Sequence, residues 1–120
     1  MSAFFLLRIN DHLQYLKKVK ATLDGTGDFR GTDHHGCKLG HWIDGSGPAE
    51  VAAYGPEAVA TFDSILAPHE RFHSASGRAL TFQVEGHHTD TEREVTEMHQ
   101  LSGTLVEKLL ELDVIAAEKR

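Results

Sequence analysis

Cysteine is almost missing from this sequence: Cys37 is the only one in 120 residues. No disulfide can therefore close within the chain, and the lone thiol must be inert, catalytic, metal-bound or redox-active. Proline is scarce, with three residues, and no proline-rich or low-complexity segment occurs. Long hydrophobic runs are absent too. The stretch Ala3 to Leu7 is closed by Arg8, far short of the roughly 18 residues of a spanning helix or the apolar stretch of a signal peptide. A cytoplasmic protein with no membrane partner is expected. Positive charge is in deficit, with 12 Lys and Arg against 18 Asp and Glu and a net charge of -6. Such an acidic surface repels phosphate backbones and anionic headgroups, which excludes nucleic acid as the expected partner. What remains is ordinary: 40% hydrophobic and 25% charged residues, as in compact globular chains. Residues 1–120 are read as one domain.

No segment alternates as a strand does, whereas helical periodicity recurs. Residues 4–23 carry the stripe Phe5, Ile9, His12, Leu16, Val19, Leu23, which Gly25-Thr26-Gly27-Asp28 ends. A Gly-, Asp- and Thr-rich loop leads to a short apolar turn, Cys37, Leu39, Trp42 and Ile43, and Ala49 to Tyr54 gives another. From Glu57 the stripe Val59, Phe62, Leu66, His69, His73, Leu80 resumes, and Pro68 predicts a kink or a restart just before the histidine pair. Thr91 and Glu94 suggest a capping box ahead of a final stripe, Val95, Met98, Ser102, Leu105, Leu109, Leu112, Ala116. The expected fold is all-α: an antiparallel helical bundle of four-helix type with up-down connectivity, and short extra helices between helix one and helix three. Leu101, Leu110 and Ile115 widen the last stripe, as expected of a homodimer interface or of a helix buried on two sides.

What the sequence has in excess is histidine, nine against one cysteine. His69 and His73, four apart, share one helical face and can converge on one ion. They occupy positions where the stripe calls for Leu or Val, and a buried imidazole without a partner costs a few kcal/mol. His12 repeats the anomaly on the first helix, and Cys37 opens the turn between. Three imidazoles and a thiolate match the N and S preference of Zn²⁺ and complete a tetrahedron without water, which argues against hydrolysis. Singly, His12 reads more simply as a core histidine and Cys37 as a small buried residue; ligation would offset the desolvation of all four together. His34, His35, His41, His87 and His88 are expected to be solvated, with His99 the candidate for an indirect role.

His12-Leu13-Gln14-Tyr15, then Cys37-Lys38-Leu39-Gly40-His41-Trp42, then His69-Glu70-Arg71-Phe72-His73 resemble, in order and spacing, the motifs of the bacterial chemoreceptor zinc-binding (CZB) domain family. The resemblance implies a helical bundle holding one zinc through His12, Cys37, His69 and His73, with Tyr15, Leu39, Gly40 and Trp42 in support. It also implies a signalling role. Family members are attached to chemoreceptors or to diguanylate cyclases, where they sense zinc or oxidants, often as homodimers. A non-enzymatic sensory module is thus expected, in which oxidation of Cys37 or loss of zinc loosens the site. Two other readings stay open: a thiol peroxidase acting through Cys37, and a di-iron bundle, which needs carboxylates in the interior.

Overall fold

The computed structural model describes residues 3–119, and side chains from Phe5 onward. Met1, Ser2 and Arg120, the ends of the expected 1–120 domain, lie outside the described residues. Five helices follow one another: α1 (Ala3–Leu23), α2 (Lys38–Asp44), α3 (Gly47–Ala52), α4 (Pro56–Val84) and α5 (His88–Lys119). No strand occurs among the described residues. The expected all-α bundle is what forms, 50 Å long and 21 Å across.

Local chemistry sets the helix ends. α1 stops in a turn where Thr26 N–H donates to the Ala21 carbonyl and Gly25 N–H to that of Thr22, with Gly25 at φ +83°. A left-handed residue just past a helix closes it in this way, and glycine adopts that conformation without steric cost. Gly86 ends α4 in the same manner. α5 then starts at His88, three residues before the expected capping box. Thr91 lies within its first turn, and its hydroxyl donates back to the His87 carbonyl instead of capping. Pro68 neither breaks nor restarts α4, which runs continuously from 56 to 84. The lost N–H bond is local, and buried Phe62, Ile65, His69 and Phe72 on both sides hold the helix in register.

The expected stripes of α1 and α5 face the core, with Phe5, Ile9, His12 and Val19 buried on α1 and Met98, Leu105, Leu109 and Leu112 on α5. On α4 Phe62, His69, His73 and Leu80 are buried as expected, but Val59 and Leu66 are exposed, and Ala58 and Ile65, one position before each, take the core-facing places. α5 is antiparallel to α4, and Arg78 pairs with Glu94 across them at 3.1 Å. α1 and α4, however, run parallel. Phe5 and Phe62 both pack on Trp42 at one end, His12 meets Phe72 midway, and Gln83 donates to the Leu23 carbonyl at the other end. Up-down connectivity therefore holds for α4 and α5 but not from α1 to α4.

The reason lies in residues 24–55, which return the chain along the bundle. The hydroxyl of Thr22 donates to the Phe29 carbonyl, Tyr15 bonds Thr32, and Trp42 arrives beside Phe5. This descending segment delivers Cys37 to the middle of the bundle, opposite the histidines of α4.

Candidate metal centre

Cys37 caps the N-terminus of α2. Its sulfur accepts from Gly40 N–H at 3.2 Å, and the thiol points to the His34 carbonyl at 3.8 Å. Gly40 is required for that approach, because a Cβ on it would overlap the His34 carbonyl oxygen. The close approach here is to the backbone of His34 and His35. Nε2 of His69 lies 3.3 Å from Cys37 Sγ. His73, one turn on, places its ring 4.8 Å from that of His69. One ligand atom from each of Cys37, His69 and His73 lies within 4.8 Å of the others.

The second nitrogen of His73 is committed. Its Nδ1 stands 3.0 Å from the Thr32 carbonyl, which also accepts from the Tyr15 hydroxyl at 3.0 Å, and Thr32 N–H donates to that hydroxyl at 2.8 Å. A carbonyl cannot donate, so Nδ1 carries the proton and Nε2 keeps its lone pair. Tyr15 thus supports the group through Thr32 and by packing its ring 4.5 Å from His73. Leu39 is one of the buried residues of α2. Trp42 is core: its ring packs edge-on against Phe5 and Phe62, and its N–H donates to Glu50 at 2.6 Å.

His12 is as buried as His69, both 2% exposed. Its ring packs 4.6 Å from Phe72 and its Nε2 lies 2.9 Å from the Ser102 hydroxyl. The structure thus brings three of the four expected ligands into one cluster and places His12 beside it, bonded to α5. His99 is exposed, and Ser102 is the α5 residue that reaches the histidines. His34 was expected in solvent but is half-buried, with its ring 6.0 Å edge-on from His69. Thr32, Ser102 and His34 escape sequence reasoning because each acts through a backbone atom or across a long separation.

Burial dominates the electrostatics. It drives the pKa of His12 down from 6.5 to about 4 and that of His69 to about 3, and the other histidines add to both effects. His73 is lowered by burial, partly opposed by its bond to Thr32. All three rings are neutral at pH 7, as ligands must be. Burial pushes the Cys37 thiol up, against the lowering effect of the α2 backbone N–H groups. The thiol is therefore protonated and unreactive unless a cation sits beside it.

The donors fit zinc. A tetrahedral Zn²⁺ with bonds of about 2.3 Å to sulfur and about 2.0 Å to nitrogen separates S from N by about 3.5 Å. The Cys37–His69 separation already matches that spacing, and the fixed tautomer of His73 directs a lone pair at the group. Among the described residues no helix is long and apolar enough to cross a membrane.

An all-α domain with a buried Cys/His/His cluster belongs to the class of small helical metal-binding domains. The sequence model of the chemoreceptor zinc-binding domain family matches residues 12–80, more than half of the chain, and the protein belongs to that family. This is a family of regulatory zinc-binding domains of chemoreceptor-type signalling proteins, not a family of enzymes. No curated protein and no solved structure matches the chain.

Proposed function

We propose that this protein is a non-enzymatic, zinc-binding regulatory module that holds one Zn²⁺ through His12, Cys37, His69 and His73 and reports zinc availability or oxidants to a bacterial signalling partner. The convergence of Cys37, His69 and His73 on one point, with the tautomer of His73 set by Thr32, carries the reading. His12 is the fourth ligand in this proposal. Its Nε2 is held by Ser102, which leaves Nδ1 as its ligand atom, and a closed four-ligand set suits regulation better than catalysis. The proposed partner is a chemoreceptor or a diguanylate cyclase, in the same chain or a separate one, and membership of a family found in chemoreceptor-type signalling proteins supports a signalling partner. The reducing compartment that keeps an unpaired Cys37 a thiol suggests the cytoplasm.

Bound zinc would hold Cys37 as a thiolate. A peroxide can then transfer one oxygen to that sulfur and leave as water, giving a sulfenic acid, a poorer ligand. Loss of the thiolate ligand frees the 33–37 segment from α4, and that is the proposed output. Of the residues that widen the last stripe, Ile115 is buried and Leu101 partly buried against the core, as in a helix covered on two sides, whereas Leu110 is 45% exposed. Dimerisation is proposed through Leu110 and Val114, one turn further on and 56% exposed. Beside them the buried Asp113 Oδ1 has no hydrogen-bond partner among the described residues.

Both alternatives fare worse. A peroxidase needs a thiol that ionises unaided, and the pKa of Cys37 is raised. A di-iron site needs interior carboxylates. Asp113, a buried carboxylate, lies 11 positions beyond Ser102, about 16 Å along α5, and the nearly buried Asp11 is taken up by Arg8 at 3.3 Å.

The test is elemental analysis of the untagged, reduced protein after dialysis against metal-free buffer. One zinc per chain in the wild type, lost in Cys37→Ser and His69→Ala and weakened in His12→Ala, supports the four-ligand set. Full retention by His12→Ala would reduce the set to three and open a position to water. Helicity and light scattering that did not differ between zinc-bound, zinc-free and oxidised protein would rule out the switch.

A further inference from the structure

Four imidazoles form a continuous run from solvent to the centre. His35 is exposed, with its ring 4.1 Å from that of His34; His34 is half-buried and 6.0 Å from His69; His69 is buried and 4.8 Å from His73. The run meets solvent in a cleft of about 540 Å³ between α2, α3 and α4, lined by His34, His35, Asp44, Asp63 and His69 together with apolar side chains. No lysine or arginine lines it.

A second, smaller cleft of about 140 Å³ is lined by Cys37 itself. Lys18 and Lys38 line that one, and its acid, Asp11, is paired with Arg8 at 3.3 Å. A divalent cation is drawn to the first opening and repelled from the second.

The outer pair is built, not loose. The carboxylate of Asp33 accepts from the backbone N–H of His35 and of Gly36, each at 3.0 Å. Nδ1 of His35 lies 2.7 Å from Asp44 Oδ2, so Nδ1 carries a proton and, in the neutral ring, Nε2 presents its lone pair; Asp44 also raises the pKa of the ring, so a cation displaces a proton from Nε2 when it binds the charged form. A carboxylate behind an imidazole is the arrangement that orients metal-binding histidines and raises their basicity.

We propose that His34 and His35, backed by Asp44, form an outer capture site for the divalent cation, through which zinc reaches and leaves the buried centre. The inference rests on the zinc reading above. His35 exchanges a water ligand of the hydrated ion for imidazole, and His34 stands between that position and His69. No electron moves. Such a site changes how fast the centre fills and empties without changing how tightly it holds.

The experiment mixes the metal-free full-length protein with Zn²⁺ in stopped flow, using a chromogenic zinc indicator, and measures release into excess EDTA. The variants are His34→Ala with His35→Ala, Asp44→Asn, and the controls Asp11→Asn and His87→Ala with His88→Ala. Loading and release should slow by the same factor, about tenfold, in the first two, with equilibrium affinity and zinc content unchanged and the controls like wild type. Where the alanine pair loses helicity, His34→Gln with His35→Gln replaces it. Wild-type rates in the capture variants overturn the proposal, as does slowing by Asp11→Asn, which would put the path on the Cys37 side. Lower affinity at an unchanged loading rate also overturns it, because the pair would then hold the ion. A wild type that binds no zinc removes the proposed function as well; one zinc per chain with unaffected rates removes this inference alone.

Discussion

Nδ1 of His73 and the carbonyl of Thr32 lie 3.0 Å apart, although 41 positions separate them in the chain. Thr32 sits in the irregular segment after α1, and what holds it there is Tyr15, whose hydroxyl bonds both its carbonyl and its N–H. Through Thr32, Tyr15 thereby sets the tautomer of a ring that it otherwise touches only at a 56° tilt. Removing such an outer partner weakens metal binding by about 10- to 100-fold. Tyr15→Phe should lower zinc affinity by about that factor in a chelator competition while keeping one zinc per chain at saturation. Unchanged affinity would show that Thr32 keeps its place without Tyr15.

Gly40 is where the Cys37 turn and the 33–36 segment touch backbone to backbone. A methyl group there runs into the His34 carbonyl, and neither backbone can yield without moving Cys37. Forcing atoms into a packed position costs about 1 to 3 kcal/mol. Gly40→Ala should lower the melting temperature of the metal-free protein and weaken zinc binding together. Ala at Gly77, which meets open space, should do neither. Equal effects at the two positions would mean that glycine content, not this contact, matters.

The helical stripes were legible because burial imposes a period, and His12, His69 and His73 stood out by interrupting it. The Cys37 turn was legible because the thiol falls where a helix begins. The parallel course of α1 and α4 was not, since it depends on a loop that descends the bundle by side-chain-to-backbone bonds that leave no period. Pro68 misled for a related reason: its local penalty shows in the sequence, but the packing of Phe62 and Phe72 that overrides it does not. The half-burial of His34 likewise arises only from where α4 passes, and Ser102 read as an ordinary small residue of the α5 stripe until His12 was placed beside it.

Ser102 separates two roles for His12. Its hydroxyl orients the imidazole from α5, so if His12 ligates zinc, Ser102→Ala should weaken zinc binding less than His12→Ala but measurably. If His12 serves only the core, both variants should lower thermal stability in the metal-free protein and leave zinc affinity as it was. Chelator competition and thermal melts on the same two variants distinguish these outcomes.

Acid should unfold the metal-free protein early, and the sign follows from the histidines. Burial, with His73 next in effect, holds His12 at about 4 and His69 at about 3, against 6.5 unperturbed. Between 6.5 and those values the unfolded chain binds protons that the folded chain refuses. The stability associated with neutral rings is therefore fully present above pH 6.5 and is lost as pH falls below it, by about 1.4 kcal/mol per pH unit for each histidine. Thermal melts of zinc-free protein from pH 7.5 to 4.5 should show a steep decline beginning near pH 6.5. His12→Leu, which keeps the position apolar and cannot titrate, should make that decline shallower by one histidine's share. A melting temperature flat across this range, or an unchanged slope in the variant, would mean that His12 is protonated in the folded protein.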